Sequence, residues 1–133
     1  MPAVDQSLQP LRIVVADDEH DTVMTLKELL RDEGHEVLAA YNGRSAVEAV
    51  RHFDPDVVIL DIGMPDVSGW DVAREIREAR GPRRPLLIAI SGRYKQEADK
   101  LLGRIAGFQH YLVKPYDTQA LLALLSGFTP AAS

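Results

Sequence analysis

Residues 11–19 read LRIVVADDE. The first part of this stretch, Leu11–Ala16, is a short run of mostly branched apolar residues, and three acidic residues follow it directly. Such a run is typical of a strand that is buried on both faces of a sheet. The acidic residues then stand at the carboxyl end of the strand, where open α/β sheets carry their functional crevice.

Four more short apolar runs, of three to five residues each, follow along the chain. They are Glu36–Ala40, Val57–Leu60, Leu86–Ile90 and Tyr111–Val113. Longer segments with apolar residues at helical spacing lie between the runs. These helical positions are Val23, Leu26, Leu29 and Leu30; Ala46, Val47, Ala49 and Val50; Trp70, Ala73 and Ile76; Ala98, Leu101, Leu102 and Ile105; and Leu121, Leu122, Leu124 and Leu125.

Regular alternation of strands and helices predicts an α/β fold with a doubly wound, five-stranded parallel sheet and five helices. Local signals support the helix limits. Gly34 should end the first helix in a left-handed conformation, and the pair Asn42-Gly43 should open the second helix. Trp70 is expected to contribute to packing, half-buried against the core.

The composition limits the classes of function. The 133 residues suit one domain, and the absence of cysteine excludes a disulfide framework, a thiolate zinc site and a cysteine nucleophile. A net charge of -5 argues against a nucleic-acid partner. No apolar run approaches the roughly 20 residues that a membrane helix needs, so we expect no membrane partner and a cytoplasmic location.

Polar residues whose side chains can bind a metal or take part in a reaction follow four of the five predicted strands. They are Asp17 and Asp18 after the first, Asp61 after the third, Ser91 after the fourth and Lys114 after the fifth. Each alone is explained by helix capping or turn formation. Together they would meet at one edge of the sheet, where three carboxylates require a compensating cation. Hard oxygen ligands suit Mg²⁺, and the added ammonium and hydroxyl make a site for a phosphoryl group.

The sequence resembles the receiver domain of two-component response regulators. The resemblance runs from about residue 11 to residue 125, and four motifs carry it: VVADDE, LDIGMPDVSG, ISG and YLVKPY. It implies a flavodoxin-like strand order 2-1-3-4-5, with helices one and five on one face and helices two, three and four on the other. Because residues 1–10 show no periodicity and carry two prolines, we expect a flexible leader (1–10), then the receiver domain (11–127) and a C-terminal tail (128–133).

The resemblance also implies roles for the acidic residues. Asp61 would be the phosphoacceptor, and it would share a Mg²⁺ ion, or Mn²⁺ as an alternative, with three other groups. Asp18 would bind the ion directly, Asp17 would act mostly through water, and Gly63 would contribute its backbone carbonyl.

Further roles fall on residues near the other strand ends. Lys114 would pair with a phosphoryl oxygen, and a cis peptide at Pro115 would aim it. Ser91 would donate its hydroxyl to the phosphoryl group, and Tyr111 would be the aromatic residue that turns inward behind it. The basic residues Arg93 and Lys95 would either be solvated or contact the phosphoryl group or a partner.

The function implied is that of a phosphoprotein in a two-component phosphorelay. A histidine kinase or histidine phosphotransfer protein would donate the phosphoryl group to Asp61, and an unknown output partner would bind the switched surface. Such a domain is no enzyme beyond its own phosphorylation and dephosphorylation. Two alternatives stay open: a receiver-like interaction module that is never phosphorylated, and a Mg²⁺-dependent aspartyl phosphatase. The chain is either a stand-alone receiver or a piece of a hybrid histidine kinase.

Overall fold

A parallel sheet of five strands runs through the centre of the computed structural model, which describes residues 10–81, 84–91, 107–114 and 116–127. The strands are β1 (Arg12–Ala16), β2 (Glu36–Ala40), β3 (Val57–Asp61), β4 (Leu86–Ser91) and β5 (His110–Val113). The order across the sheet is β2-β1-β3-β4-β5, which confirms the predicted doubly wound topology.

Helices cover both faces of this sheet. They are α1 (His20–Asp32), α2 (Gly43–Phe53), α3 (Gly69–Arg80) and α4 (Thr118–Ser126). The last of these is the fifth helix that the sequence predicts. The predicted fourth helix, around residues 98–105, lies outside the described residues, as do residues 1–9 and 128–133.

Alternation along the strands divides the core into two layers. In β1, Val14 packs under α2 and α3, whereas Ile13 and Val15 pack under α1 and α4. The central strands β1, β3 and β4 are buried along almost their whole length, as their continuous apolar runs predict. The prediction of burial on both faces is wrong for β2 and β5, which are the edge strands of the sheet and are only partly buried.

Two strands are longer than the apolar runs, and this affects the site. Asp61 pairs with Ile90, and Ser91 pairs with Val113, so that both polar residues are the last members of β3 and β4 rather than loop residues. Their backbones are therefore fixed by the sheet. At the other limits, β1 begins one residue later than Leu11 and β5 begins one residue earlier than Tyr111.

The predicted helix limits are confirmed. Gly34 has a φ of +98° and donates its N–H to the carbonyl of Arg31, which ends α1. The side chain of Asn42 accepts a hydrogen bond from the N–H of Ser45 and caps α2. Trp70 is half-buried, and its ring meets the edge of Phe108 at 5.9 Å between centroids. Within the described residues, no helix combines the length and apolar character needed to cross a bilayer.

Candidate functional site

The buried polar side chains of the described residues lie at one edge of the sheet. Asp17, Asp61 and Ser91 are only 3%, 6% and 1% exposed. They stand at the carboxyl ends of β1, β3 and β4, which are adjacent strands. Burial of carboxylates is costly unless other groups compensate them, so this edge is a candidate for function rather than for stability.

Three carboxylates meet there. One oxygen each from Asp17, Asp18 and Asp61 lies within 4.8 Å of the other two. Asp18 is exposed, so the group opens to solvent on one side. The structure thus brings together the three acidic residues that the sequence predicts as metal ligands.

Lys114 reaches into this group from the end of β5. Its Nζ lies 2.8 Å from Oδ2 of Asp17, 3.6 Å from Oδ2 of Asp61 and 3.8 Å from Oε1 of Glu19. Its backbone N–H donates to the carbonyl of Ser91 at 2.7 Å, which continues the pairing of β4 with β5 to Lys114 and fixes its backbone. The ammonium therefore offsets part of the carboxylate charge.

The pKa values of Asp61 and Lys114 are both raised, but burial acts in opposite directions on the two residues. Burial is the main cause that raises the pKa of Asp61 from 3.8 to about 6; the charge of Asp17 adds to it, while the Gly63 N–H and Lys114 oppose it. Burial alone would lower the pKa of Lys114, but its hydrogen bond and attraction to Asp17, with the charges of Asp61 and Glu19, raise it. Lys114 is therefore firmly protonated.

Local hydrogen bonds orient the two buried carboxylates. Oδ1 of Asp61 accepts the N–H of Gly63 at 2.8 Å, and Oδ1 of Asp17 accepts the N–H of Glu19 at 3.0 Å. In both cases the donor is two residues further along the chain, a geometry that short acidic side chains adopt at strand ends. Each carboxylate keeps its Oδ2 on the side of Lys114.

The loop after Asp61 is anchored at both ends. Gly69 donates its N–H to the carbonyl of Ile62 at 3.3 Å, and a Cβ at position 69 would lie only 2.4 Å from Cα of Ile62. Asp66 accepts the N–H groups of Gly43 and Arg44 at 2.8 and 3.1 Å, and the first of these is the main cause that lowers its pKa. The loop is therefore tied to the start of α2.

The donor set fits a hard divalent cation. Carboxylate oxygens are ligands of Mg²⁺ and Mn²⁺, and Mg²⁺ binds through few protein groups because it keeps several waters. Asp17, Asp18 and Asp61 can supply such oxygens on the solvent side of the cluster. The carbonyl of Gly63 as a ligand, and a water-mediated role for Asp17, stay predictions.

Two further residues with predicted roles, Ser91 and Tyr111, lie close by in the fold. Ser91 is buried at the end of β4, beside β3 and Asp61. Tyr111 is half-buried on β5, opposite Ala89, and packs against the core layer under α2 and α3. Their switching roles stay predictions. Pro115, Arg93 and Lys95 lie outside the described residues.

Two residues near the site received no role from the sequence. Glu19 lies within 3.8 Å of Lys114, and its Oε1 also accepts the hydroxyl of Thr22 at 2.7 Å. Burial raises the pKa of Tyr116, with Asp17 acting in the same direction and Lys114 opposing it. Their place in the motifs that end in Asp-Asp-Glu and Lys-Pro-Tyr was the available signal.

Comparisons with known proteins agree with this geometry. Residues 13–126 match the response regulator receiver domain family. The protein PilH of Pseudomonas aeruginosa is 35% identical over 116 residues, which are 86% of this chain and 94% of PilH.

Solved structures are similar as well. The response regulator TrrA of Thermotoga maritima, solved in complex with Mg²⁺-BeF, is 34% identical with a TM-score of 0.76; the match covers 87% of this chain and 96% of TrrA. A CheY-like receiver domain protein of Methanospirillum hungatei superimposes with a TM-score of 0.82 over 90% of this chain and 93% of its own. It is 23% identical and supports the fold alone. With its sheet order, its acidic cluster and these matches, the chain belongs to the response regulator receiver domain family.

Proposed function

We propose that Asp61 accepts a phosphoryl group from a histidine kinase or a histidine phosphotransfer protein, and that this changes the surface offered to an output partner. One observation carries the proposal: a buried carboxylate, Asp61, lies among two further carboxylates and the ammonium of Lys114. The relationship to PilH and to TrrA, which binds Mg²⁺-BeF, supports it.

In the transfer step, a carboxylate oxygen of Asp61 forms a bond to phosphorus while the bond from phosphorus to the donor imidazole breaks. The electron pair of that bond leaves with the imidazole. When bound by Asp17, Asp18 and Asp61, Mg²⁺ would offset negative charge on the carboxylates and on the incoming phosphoryl group. Lys114 would bind a phosphoryl oxygen, because its Nζ already lies 3.6 Å from Oδ2 of Asp61.

The free carboxylate of Asp61 has to be ionised to attack. With a pKa raised to about 6, it is mostly ionised at neutral pH, and the same burial leaves it less well solvated than an exposed carboxylate. Lys114 then serves both states, first pairing with Asp17 and later with the phosphoryl oxygens.

Phosphorylation adds about -1.5 to -2 charges and new acceptor oxygens at Asp61. Ser91, at the end of the neighbouring strand, would donate its hydroxyl to such an oxygen. Movement around Ser91 would open space for the ring of Tyr111, and the changed setting of that ring would alter the surface around β5. A few kcal/mol of differential stabilisation is enough for such a two-state change.

Labelling by acetyl phosphate tests the proposal. We expect Mg²⁺-dependent, stoichiometric and acid-labile phosphorylation of the full chain, and loss of the label in Asp61→Asn. Glu19→Gln is the matched control, because it also removes one negative charge near Lys114 but leaves the three clustered carboxylates intact. Retention of the label in Asp61→Asn would show that another residue is the acceptor.

The same experiment separates the alternatives. A receiver releases its own phosphate once per loading, whereas a phosphatase would release phosphate from a small ester over many turnovers. An interaction module that is never phosphorylated would take up no label from acetyl phosphate. We propose that the chain is a cytoplasmic signalling domain and no enzyme toward other substrates.

A further inference from the structure

The guanidinium of Arg77 reaches from α3 to the segment that precedes β5. Its Nε and Nη2 donate to the carbonyl of Gly107 at 3.1 and 2.8 Å, and Nη2 also lies 2.8 Å from Oε1 of Gln109. A planar fork with several donors can hold two acceptors at once, which a lysine cannot do in the same way. Arg77 therefore clamps residues 107 and 109 together.

Gln109 connects Arg77 to the sheet, because it is hydrogen-bonded to Leu87 of β4. Its backbone N–H donates to the carbonyl of Leu87 at 2.9 Å, and its Oε1 accepts the N–H of Leu87 at 2.8 Å. The side-chain oxygen thus replaces a strand partner for Leu87 just before the β4–β5 pairing begins at Ile88 and His110. The register of β5 follows from where Gln109 is held.

The backbone at Gly107 is shaped for this clamp. Its φ is +110°, and a Cβ there would lie 2.7 Å from both Cγ and Nε of Arg77. A side chain at this position would therefore push the guanidinium off the carbonyl that it binds. The next residue, Phe108, is buried and meets Trp70 of α3 edge-on. Helix α3 holds the segment at two points.

Arg77 accepts a desolvation cost in this position. It is half-buried, and burial lowers its pKa from the ordinary value. Within the described part of the chain, the groups that it contacts by hydrogen bonds are neutral oxygens, on Gly107, Gln109 and Gly81. A half-buried charge that, among the described residues, is paired only with neutral oxygens pays for its desolvation without an ion pair in return, which favours a role in placing a segment.

We propose that Arg77 is a positioning residue for the phosphoryl switch: it fixes the start of β5 and so sets the resting position of Tyr111. Helix α3 begins directly after the loop of Asp61, with Gly69 bound to Ile62, and Arg77 ties its far end to the segment just before β5. The helix thus connects the phosphoacceptor loop with the strand that carries Tyr111. This inference rests on the proposed function of Asp61 and Tyr111.

Fluorine NMR of the full chain, with 3-fluorotyrosine in place of its four tyrosines, can follow this position. Tyr111→Phe assigns the signal, and Mg²⁺ with beryllofluoride mimics the phosphorylated state. In the wild type we expect the Tyr111 signal to shift when beryllofluoride binds. In Arg77→Met the signal should already be displaced before loading, and its shift on loading should fall to less than about half, because the resting state is no longer fixed.

The matched control is Arg74→Met. Arg74 lies on the same helix, is exposed and contacts Asp71 one turn away. The substitution Arg74→Met therefore removes the same charge but leaves the contacts of Arg77 intact. We expect it to respond like the wild type, and Arg77→Lys to respond in between. Labelling of Asp61 by acetyl phosphate should stay within about twofold in all three variants, because none of the changed side chains reaches the carboxylates.

Two substitutions of Gln109 guard against misfolding of an Arg77 variant. Gln109→Glu keeps an acceptor oxygen and should keep the wild-type response, whereas Gln109→Met keeps the length but has no oxygen and should behave like Arg77→Met. Amide exchange gives an independent check. The N–H of Leu87, which Arg77 does not touch, should exchange about tenfold faster in Arg77→Met, the effect of losing a hydrogen bond to a charged group.

The outcomes separate the two proposals. If Arg77→Met responds like Arg74→Met while the wild type responds to beryllofluoride, the positioning role is overturned and the proposed function stands. If the wild type takes up no label and Tyr111 does not respond, both fall. Faster exchange at Leu87 without any change at Tyr111 would reduce Arg77 to a structural contact and would also overturn the inference.

Discussion

The Nζ of Lys114 lies 2.8 Å from Oδ2 of Asp17, although the two residues are 97 positions apart in the chain. Lys114 is closer to Asp17 than to Asp61, where its Nζ is 3.6 Å from Oδ2. The resting site therefore pairs the ammonium mainly with a candidate metal ligand, Asp17, and only secondarily with the proposed phosphoacceptor, Asp61. The ammonium of Lys114 therefore competes with any metal cation that binds the carboxylates, because both are attracted by the same negative charge.

Removal of this competitor should strengthen metal binding. We expect Lys114→Met to bind Mg²⁺ roughly three- to tenfold more tightly, because a unit charge a few ångströms from the ligands opposes the cation. The same variant should lose labelling by acetyl phosphate. Titration calorimetry measures the affinity, and Lys27→Met is the control, since it removes the same charge from α1 away from the cluster. Weaker binding in Lys114→Met would mean that Lys114 helps to organise the ligands.

Stability should depend on pH through Asp61. Since its pKa rises from 3.8 to about 6 on folding, the folded state holds this proton more tightly than the unfolded state. The wild type should therefore lose stability relative to Asp61→Asn as the pH rises across that window. At pH 7 without metal, we expect the variant to be more stable by about 1 to 2 kcal/mol.

Urea denaturation from pH 4 to pH 7.5 with a chelator measures this difference, and Glu28→Gln on the exposed side of α1 is the control. A difference that stays constant with pH would contradict the burial argument. Saturating Mg²⁺ should reduce or reverse the advantage of Asp61→Asn, because the ion stabilises only a folded state that binds it.

Asp18 should matter for the metal but little for the fold. It is exposed, and one of its oxygens lies within 4.8 Å of those of Asp17 and Asp61. We expect Asp18→Asn to weaken Mg²⁺ binding about tenfold or more, with a change in unfolding free energy within about 0.5 kcal/mol. The matched control is Glu19→Gln, which changes the net charge equally one residue away. If both variants weaken binding to the same degree, the effect is general electrostatics and Asp18 is no ligand.

The sequence predicts the sheet well because its central strands are uninterrupted apolar runs. Those runs place Asp17, Asp61 and Ser91 at strand ends, and the parallel topology then brings them together. The exact ends of β3 and β4 depend on strand pairing, which the sequence alone does not reveal. Asp61 and Ser91 are held within β3 and β4 because each has a partner in the next strand.

The contacts that long side chains make between separate helices and strands could not be predicted from the sequence. Nothing in the local pattern around Arg77 distinguishes it from Arg74, yet one binds the segment before β5 and the other an adjacent aspartate. The exposure of β2 depends on its place at the edge of the sheet, so its residue types do not reveal it.

Two glycines, Gly63 in the loop after Asp61 and Gly69 at the start of α3, should differ in their tolerance to alanine. At position 69, helix propensity favours alanine by up to about 1 kcal/mol, but the new Cβ would lie 2.4 Å from Cα of Ile62. Backbone cannot yield as a flexible side chain can, so we expect Gly69→Ala to lower the unfolding free energy by roughly 1 to 3 kcal/mol.

Gly63→Ala is the matched control, because its Cβ would meet only Oδ1 of Asp61 at 3.4 Å. Its unfolding free energy should stay within about 0.5 kcal/mol of the wild type. Because Gly69 donates to Ile62, the neighbour of Asp61, Gly69→Ala should also slow labelling by acetyl phosphate. Urea denaturation and intact-mass labelling measure both effects. Equal stability of Gly69→Ala and Gly63→Ala would show that the loop shifts freely and that the close approach of Gly69 to Ile62 does not hold Asp61 in place.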